Sequence, residues 1–402
     1  MPRPFADEAS QRQGAGADLD AATAVGRATR GRNPLRAQPL GRHGFRTKDG
    51  AMSAVDKIWF TRCPVPTATG LAYKLGWLES EFKPDGITIS TLQEVGGDLA
   101  RHHYDHQLST LIREGGNLLA IPARAQGAPT RLIGLTWIDE GQSVLVRPGS
   151  DIRSPADLRG KRLGIPAFRP DDIARNQRGR SIARGMSLHG FKGALASAGL
   201  TLDDAQLVEL ERTGVESAPG DRRDAGARLS DGIGPLLAGK VDAIYVKGAA
   251  AAEAARKHGA IVGIDLDKLP DRRFRVNNGT PRPITVHERL LEDHFDLVVR
   301  FLYQTLRAAE WAKTNLAGVR QILQGETRSG TEGVELAYRD GFHLSLAPDL
   351  SSERLELFRR QKTFQYVSGL LDRDFDLDAW ADPRPLEEAH RRLQAAGQAA
   401  AA

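Results

Sequence analysis

The 402-residue chain holds a single cysteine, Cys63, which excludes an internal disulfide framework and a thiolate zinc cluster. It holds no run of about 18 consecutive apolar residues, so the sequence offers no membrane-spanning helix. Its ten histidines show no HExxH spacing, which excludes the zincin type of metalloprotease. Neither GxGxxG nor GxxxxGK[ST] occurs, so the usual glycine-rich cradles for dinucleotides and nucleoside triphosphates are missing. A charge excess is also missing from most of the chain. Residues 1–51 carry nine Lys/Arg against five Asp/Glu, a net of +4, and the other 351 carry 47 against 46. Basicity therefore belongs to the amino-terminal segment, and the body is not a nucleic-acid binder by charge. With 40% hydrophobic and 27% charged residues, what remains is a globular enzyme or binding protein of one large domain or two ordinary ones.

Residues 1–51 are rich in Ala, Gly, Arg, Gln and Asp and lack hydrophobic periodicity. Such a segment buries too little apolar surface to offset its ordering entropy, and a disordered tail is expected. It has no apolar core of about 7–15 residues, as a secretory signal requires. Arg30 and Arg32 lack the hydrophobic stretch that a twin-arginine signal needs. A mitochondrial presequence is opposed by Asp7, Glu8, Asp18 and Asp20. Met52 is read as the natural start and the cytoplasm as the expected compartment.

From Val55 onward short β-like runs alternate with helical patterns. Strands are expected at Lys57–Thr61, Gly86–Leu92, Arg131–Trp137, Ser143–Arg147, Arg162–Ile165, Gln206–Leu210, near Ala243–Tyr245 and at Ile261–Leu266. Helices are expected over Thr67–Phe82, His106–Ile112, Ser181–Ala198, Arg289–Leu323 and Ser352–Leu371. Residues 212–234 and 324–334 read as loops. This order predicts an α/β fold of two lobes around a cleft, with mainly parallel sheets. Gly and Pro near Val146–Ser150 and Pro281–His287 mark the expected crossings. Lobe I is then 52–146 with 286–402, and lobe II is 147–285.

Two segments carry chemistry. Cys63-Pro64-Val65-Pro66 follows the first strand, where an open α/β sheet faces its ligand crevice. The next helix's N-terminal N–H groups favour anions and a thiolate there. The alternative is a buried structural cysteine, the commoner fate of a lone one. The second segment runs from His102-His103-Tyr104-Asp105-His106 to Arg113-Glu114-Gly115-Gly116. Arg113 offers a planar fork of donors matched to carboxylate, sulfinate or sulfonate oxygens. Gly115 and Gly116 allow backbone N–H groups close to an anion. The alternative is a solvated charged loop closed by a Gly-Gly turn. His189, His258, His287 and His343 are scattered singly, and Trp311 and Trp380 fall on helical patterns as packing residues.

The stretch SVLVRPGSDIRSPADLRGKRLGI and the segment LLAGKVDAIYV resemble the type II periplasmic solute-binding fold, in its nitrate, sulfonate and thiamine-precursor branch. The Cys-Pro-Val-Pro loop, followed by His, an aromatic residue, eight positions, then Arg-x-Gly-Gly, resembles the hydroxybiphenyl sulfinate desulfinase family. Leu377 to Pro383, LDAWADP, is similar to that family's carboxyl-terminal region. The resemblance implies an essential Cys63 and a sulfinate site of His103, Arg113 and Gly116, with Tyr104 as the aromatic neighbour. It implies cofactor-free hydrolysis of a C–S bond with release of sulfite. The family's aromatic second-lobe residues are not found between Pro166 and Gly193. Arg175, Arg178, Arg180 and Arg184 occupy that stretch, favouring a smaller or more anionic organosulfur substrate, with Phe168 or Phe191 as a remaining apolar wall. A monomer is expected, with no metal, nucleic-acid partner or membrane span. A solute-binding component of an importer for sulfonates is the alternative reading, and a cytosolic anion sensor is a third.

Overall fold

The computed structural model describes residues 55–63, 65–92, 94–95, 97–168, 170–174, 181–211, 230–339 and 341–401. The amino-terminal tail, Pro64, Arg175, Arg178 and Arg180 lie outside them, so the readings placed there have no structural counterpart. Two five-stranded sheets organise the chain. The first has the order β2 (Thr88–Thr91), β1 (Lys57–Arg62), β3 (Leu111–Glu114), β10 (Arg282–His287), β4 (Thr130–Thr136). The second has the order β7 (Gln206–Leu210), β6 (Arg162–Pro166), β8 (Ala243–Val246), β5 (Ser143–Val146), β9 (Ile261–Asp265).

The sheets are mixed, and in each of them four strands run in one direction with a fifth inserted against them. β1 runs parallel to β2 and β3, and β6 parallel to β7 and β8. β10 runs antiparallel to β3 and β4, and β5 antiparallel to β8 and β9. These two inserted strands are where the chain changes sheet. A strand that arrives from the other sheet, without a covering crossover helix of its own, enters from the opposite end. Ser143–Val146, expected in lobe I, thus pairs in the second sheet, and Arg282–Thr285, expected in lobe II, pairs in the first. The crossings lie between Thr136 and Ser143 and between Asp265 and Arg282.

Several local expectations also change. The helix expected over Thr67–Phe82 is two, α1 (Ala68–Lys74) and α2 (Trp77–Phe82), because Gly76 turns left-handed at φ 72°. His106–Ile112 is not helical. A one-turn helix α3 (His102–Asp105) ends at His106, itself left-handed at φ 56°, and the chain then enters β3. After β3 comes α4 (Asn117–Ala125). α5 (Pro170–Ala174) and α6 (Ile182–Ser197) follow in the second lobe. Residues 324–334 are largely the end of one helix, Leu316–Thr327, and the start of another, Thr331–Ala337.

Each sheet has its own core. Ile58, Phe60, Ile112 and Ile284 pack with Phe82, Phe301 and Leu302, and Leu145, Leu163, Ile244 and Val246 pack with Phe191 and Leu195. Each such buried side chain contributes about 1.5–3 kcal/mol. The helix Ser352–Val367 joins the parts. It sends Phe358 against Trp380 and Phe364 against the second core. No helix among the described residues is long and apolar enough to cross a membrane.

Candidate functional site

The carboxyl ends of β1 and β3 lie side by side, Thr61 opposite Arg113 and Arg62 opposite Glu114. That register brings together segments about fifty residues apart in the chain. The Gly116 N–H, at the start of α4, points to Cys63 Sγ at 3.4 Å. The N–H that reaches the sulfur is therefore that of the helix after β3, not of the helix after β1. Thr61 Oγ1 lies 2.9 Å from His103 Nδ1, tying the α3 imidazole to the strand that leads into the cysteine. His103 stacks edge-on with Tyr104 at 5.2 Å. It keeps some surface exposed, yet burial of the imidazole, helped by the neighbouring Arg113 charge, brings its pKa down to about 3. His103 is thus a neutral ring at physiological pH.

Arg113 is almost wholly buried. Burial, opposed by the interaction with Cys63, brings its pKa down to about 10, which leaves it a cation at neutral pH. Its Nη2 donates to the Gly116 carbonyl at 3.2 Å, while Nε and Nη1 have no hydrogen-bond partner among the described residues. The two glycines are required by neighbours rather than by an unusual backbone. A Cβ on Gly115 would stand 2.6 Å from Arg113 Cζ, and one on Gly116 would stand 2.2 Å from Asn278 Oδ1. Of the two N–H groups expected to face an anion, that of Gly115 donates to the Pro283 carbonyl at 3.2 Å. Only Gly116 keeps its N–H directed to the cysteine.

All six residues singled out in the sequence, Cys63, His103, Tyr104, Arg113, Gly115 and Gly116, therefore fall in one neighbourhood. The other histidines diverge. His102 pairs with Asp105 at 2.7 Å, and His106 turns its Nε2 to the His103 carbonyl at 3.1 Å. Among the described residues no group of three or more His, Cys, Asp or Glu could hold a metal ion.

Sequence reasoning missed the floor of this site, most of which comes from the second half of the chain, with Glu140 from the first. Arg282 on β10 is 2% exposed and pairs with buried Glu140, whose other oxygen takes Lys247 at 3.1 Å. Burial works against the Arg282 cation, but Glu140, Cys63 and Glu114 together raise its pKa above the ordinary value. Burial raises the Glu114 pKa, against hydrogen bonds from Thr69 and Thr136 and the Arg282 charge. Asn278 braces the turn. Its Oδ1 accepts the Leu118 N–H at 3.0 Å, and its backbone carbonyl accepts the Asn117 N–H at 2.7 Å. Gly185 of α6 packs on Leu118, so the second lobe meets the first at this turn.

The expected apolar wall is not formed by Phe191, which lies in the second-lobe core. Phe168 lies under the Arg184 guanidinium at 4.1 Å, and Arg184 is further tied to Pro166 and Glu209.

No protein-family model matches the chain. Among curated proteins, the 2'-hydroxybiphenyl-2-sulfinate desulfinases of Rhodococcus erythropolis and Rhodococcus qingshengii are each 27% identical to it over 367 residues, covering 84% of this chain and 94% of the relative. Among solved structures, the desulfurization enzyme DSZB matches with a TM-score of 0.66 at 26% identity, covering 84% of this chain and 99% of its own. A cysteine-to-serine mutant of DSZB in complex with biphenyl-2-sulfinic acid matches with a TM-score of 0.68 at 25% identity, over 84% and 100%. The chain is homologous to these desulfinases. The periplasmic aliphatic sulphonate binding protein SsuA from Escherichia coli matches with a TM-score of 0.59 at 16% identity, over 82% and 92%, which is a likeness of fold.

Proposed function

We propose that this chain cleaves the carbon–sulfur bond of an organic, aryl-type sulfinate by hydrolysis and releases sulfite. The observation that carries the reading is the single cysteine of the chain, approached by the Gly116 N–H at 3.4 Å and interacting with two buried guanidiniums, Arg113 and Arg282. Homology to the desulfinases over 84% of the chain supports the reaction class. A cysteine-to-serine mutant of a homologue that holds biphenyl-2-sulfinic acid supports the role of a cysteine beside the sulfinate.

The net reaction is R–SO2⁻ + H2O → R–H + HSO3⁻. The open Nε and Nη1 donors of Arg113 bind the sulfinate oxygens and set its sulfur beside Cys63 Sγ. The Cys63 sulfur attacks the sulfinate sulfur, the C–S bond breaks, and the thiol proton passes to the ring carbon that leaves. Water then cleaves the resulting S–S bond, returning the proton to Cys63 and releasing bisulfite. Neutral His103, held by Thr61, relays the proton. No electrons enter or leave the balance.

Sulfite release from a panel of aryl and alkyl sulfinates, by wild type and by Cys63→Ser, tests the proposal. Sulfite formed by wild type and absent with Cys63→Ser, both folded, is the expected result. Ligand-induced thermal stabilisation of both proteins without sulfite would overturn it and leave the solute-binding reading.

A further inference from the structure

The unpaired donors around Cys63 outnumber what one arginine needs. Nε and Nη1 of Arg113 and Nε and Nη1 of Arg282 are all buried without a hydrogen-bond partner among the described residues. Buried guanidinium donors are normally satisfied, so four on two paired strands, β3 and β10, call for an acceptor. The local charges point the same way. Arg282 is one of two cations on Glu140, the other being Lys247, so a single carboxylate serves both. Both oxygens of Glu114 already accept threonine hydroxyls. Arg113 and Arg282 are close enough for their like charges to oppose each other, and each interacts with Cys63. An anion between them would relieve that repulsion and fill the open forks.

We propose that Arg282 is a second anion-binding arginine of the site, so that the substrate sulfinate and the product sulfite are each held between Arg113 and Arg282 beside Cys63. The proposal rests on the sulfinate reading of the site and adds a residue that no sequence motif marks. It also orders the two ligands. A sulfinate offers two oxygens and sulfite three, and four open donors suit the three-oxygen anion at least as well. The site therefore retains its inorganic product, and sulfite competes with substrate.

Binding of sulfite and of benzenesulfinate is measured by calorimetry in the Cys63→Ser background, which removes turnover. Arg282→Gln leaves Glu140 with its Lys247 partner and is expected to weaken both anions by about tenfold or more, with Arg282→Lys recovering part of the loss. Unchanged affinity in folded Arg282→Gln overturns the proposal. Should Arg282→Gln fail to fold, a crystal structure of Cys63→Ser soaked with sulfite decides. Oxygens on both guanidiniums support the proposal, and oxygens on Arg113 alone overturn it. These readouts need no catalysis, so a wild type that binds both anions through Arg282 but releases no sulfite would refute the desulfinase reading and leave this one standing.

Discussion

The two glycines after β3 separate affinity from stability in one experiment. Neither lies in the left-handed region, so alanine is penalised only by what it meets. In Gly116→Ala the new methyl would lie 2.2 Å from Asn278 Oδ1 and 2.5 Å from its Nδ2. Asn278 cannot simply swing away, because its Oδ1 holds the Leu118 N–H at 3.0 Å. Losing that bond leaves a buried donor unmet, costing about 1–3 kcal/mol. The overpacking adds about 1–3 kcal/mol. A total loss of about 2–6 kcal/mol is expected in urea-induced unfolding, with weaker sulfinate turnover following from the displaced turn. In Gly115→Ala the methyl meets the Arg113 guanidinium instead, 2.6 Å from Cζ and 2.6 Å from Nη2. The fork must move, its bond to the Gly116 carbonyl is lost, and stability falls by about 1–2 kcal/mol. The larger effect is on affinity, with KM for sulfinate raised about tenfold. Wild-type unfolding of Gly116→Ala, or wild-type sulfinate affinity in Gly115→Ala, would refute the claim that close packing at this turn sets the site.

Thr61→Val removes the hydroxyl 2.9 Å from His103 Nδ1, and steady-state kinetics should show kcat reduced about tenfold with KM little changed, as for a positioning residue. His189 predicts acid sensitivity. Its Nδ1 lies 2.5 Å from Gln361 Nε2, and burial, with Lys192 nearby, brings its pKa down to about 3. The unfolded chain binds that proton near the ordinary histidine value of about 6.5, so stability is greatest above that pH and falls as pH drops toward 3. At pH 5 the His189 share of the loss is about 2 kcal/mol. Urea titrations at pH 7.5 and 5 should show that difference reduced in His189→Gln, and an equal acid loss in both proteins would disprove the assignment.

The fold was legible where strands are short β-branched or apolar runs punctuated by Gly and Pro, as at Lys57–Arg62 or Ala243–Val246. It was hidden where strands carry charge into the core. β3 ends in Arg113-Glu114, both buried, a pattern that single-sequence periodicity assigns to a surface. β10 begins Arg282-Pro283, and Pro283 lies opposite Leu135 with its carbonyl taken by the Gly115 N–H, so a residue that reads as a breaker sits inside a sheet. The candidate site was legible only in part. The spacing from His103 to Arg113 and Gly116 is local and carries a resemblance. The Glu140, Lys247, Asn278 and Arg282 cluster joins positions separated by up to 142 residues, as in the Glu140–Arg282 pair, and no local pattern encodes it.

The insertion of β10 between β3 and β4 has a temporal meaning. During synthesis from the amino terminus, β1, β2 and β3 can pair as soon as they emerge, but β4 has no neighbour in its sheet until residues 282–287 arrive. The second sheet, whose strands all fall between Ser143 and Asp265, is complete before then. The first lobe thus waits, open along one edge, for a chain that must pass through the whole of another sheet before returning. Arg282 and Asn278 travel with that returning segment, so the proposed anion site closes at the same moment as the sheet beneath it. A ribosome-bound chain halted before residue 282 would display a paired second sheet and an unjoined first one, with Cys63 present but without Arg282.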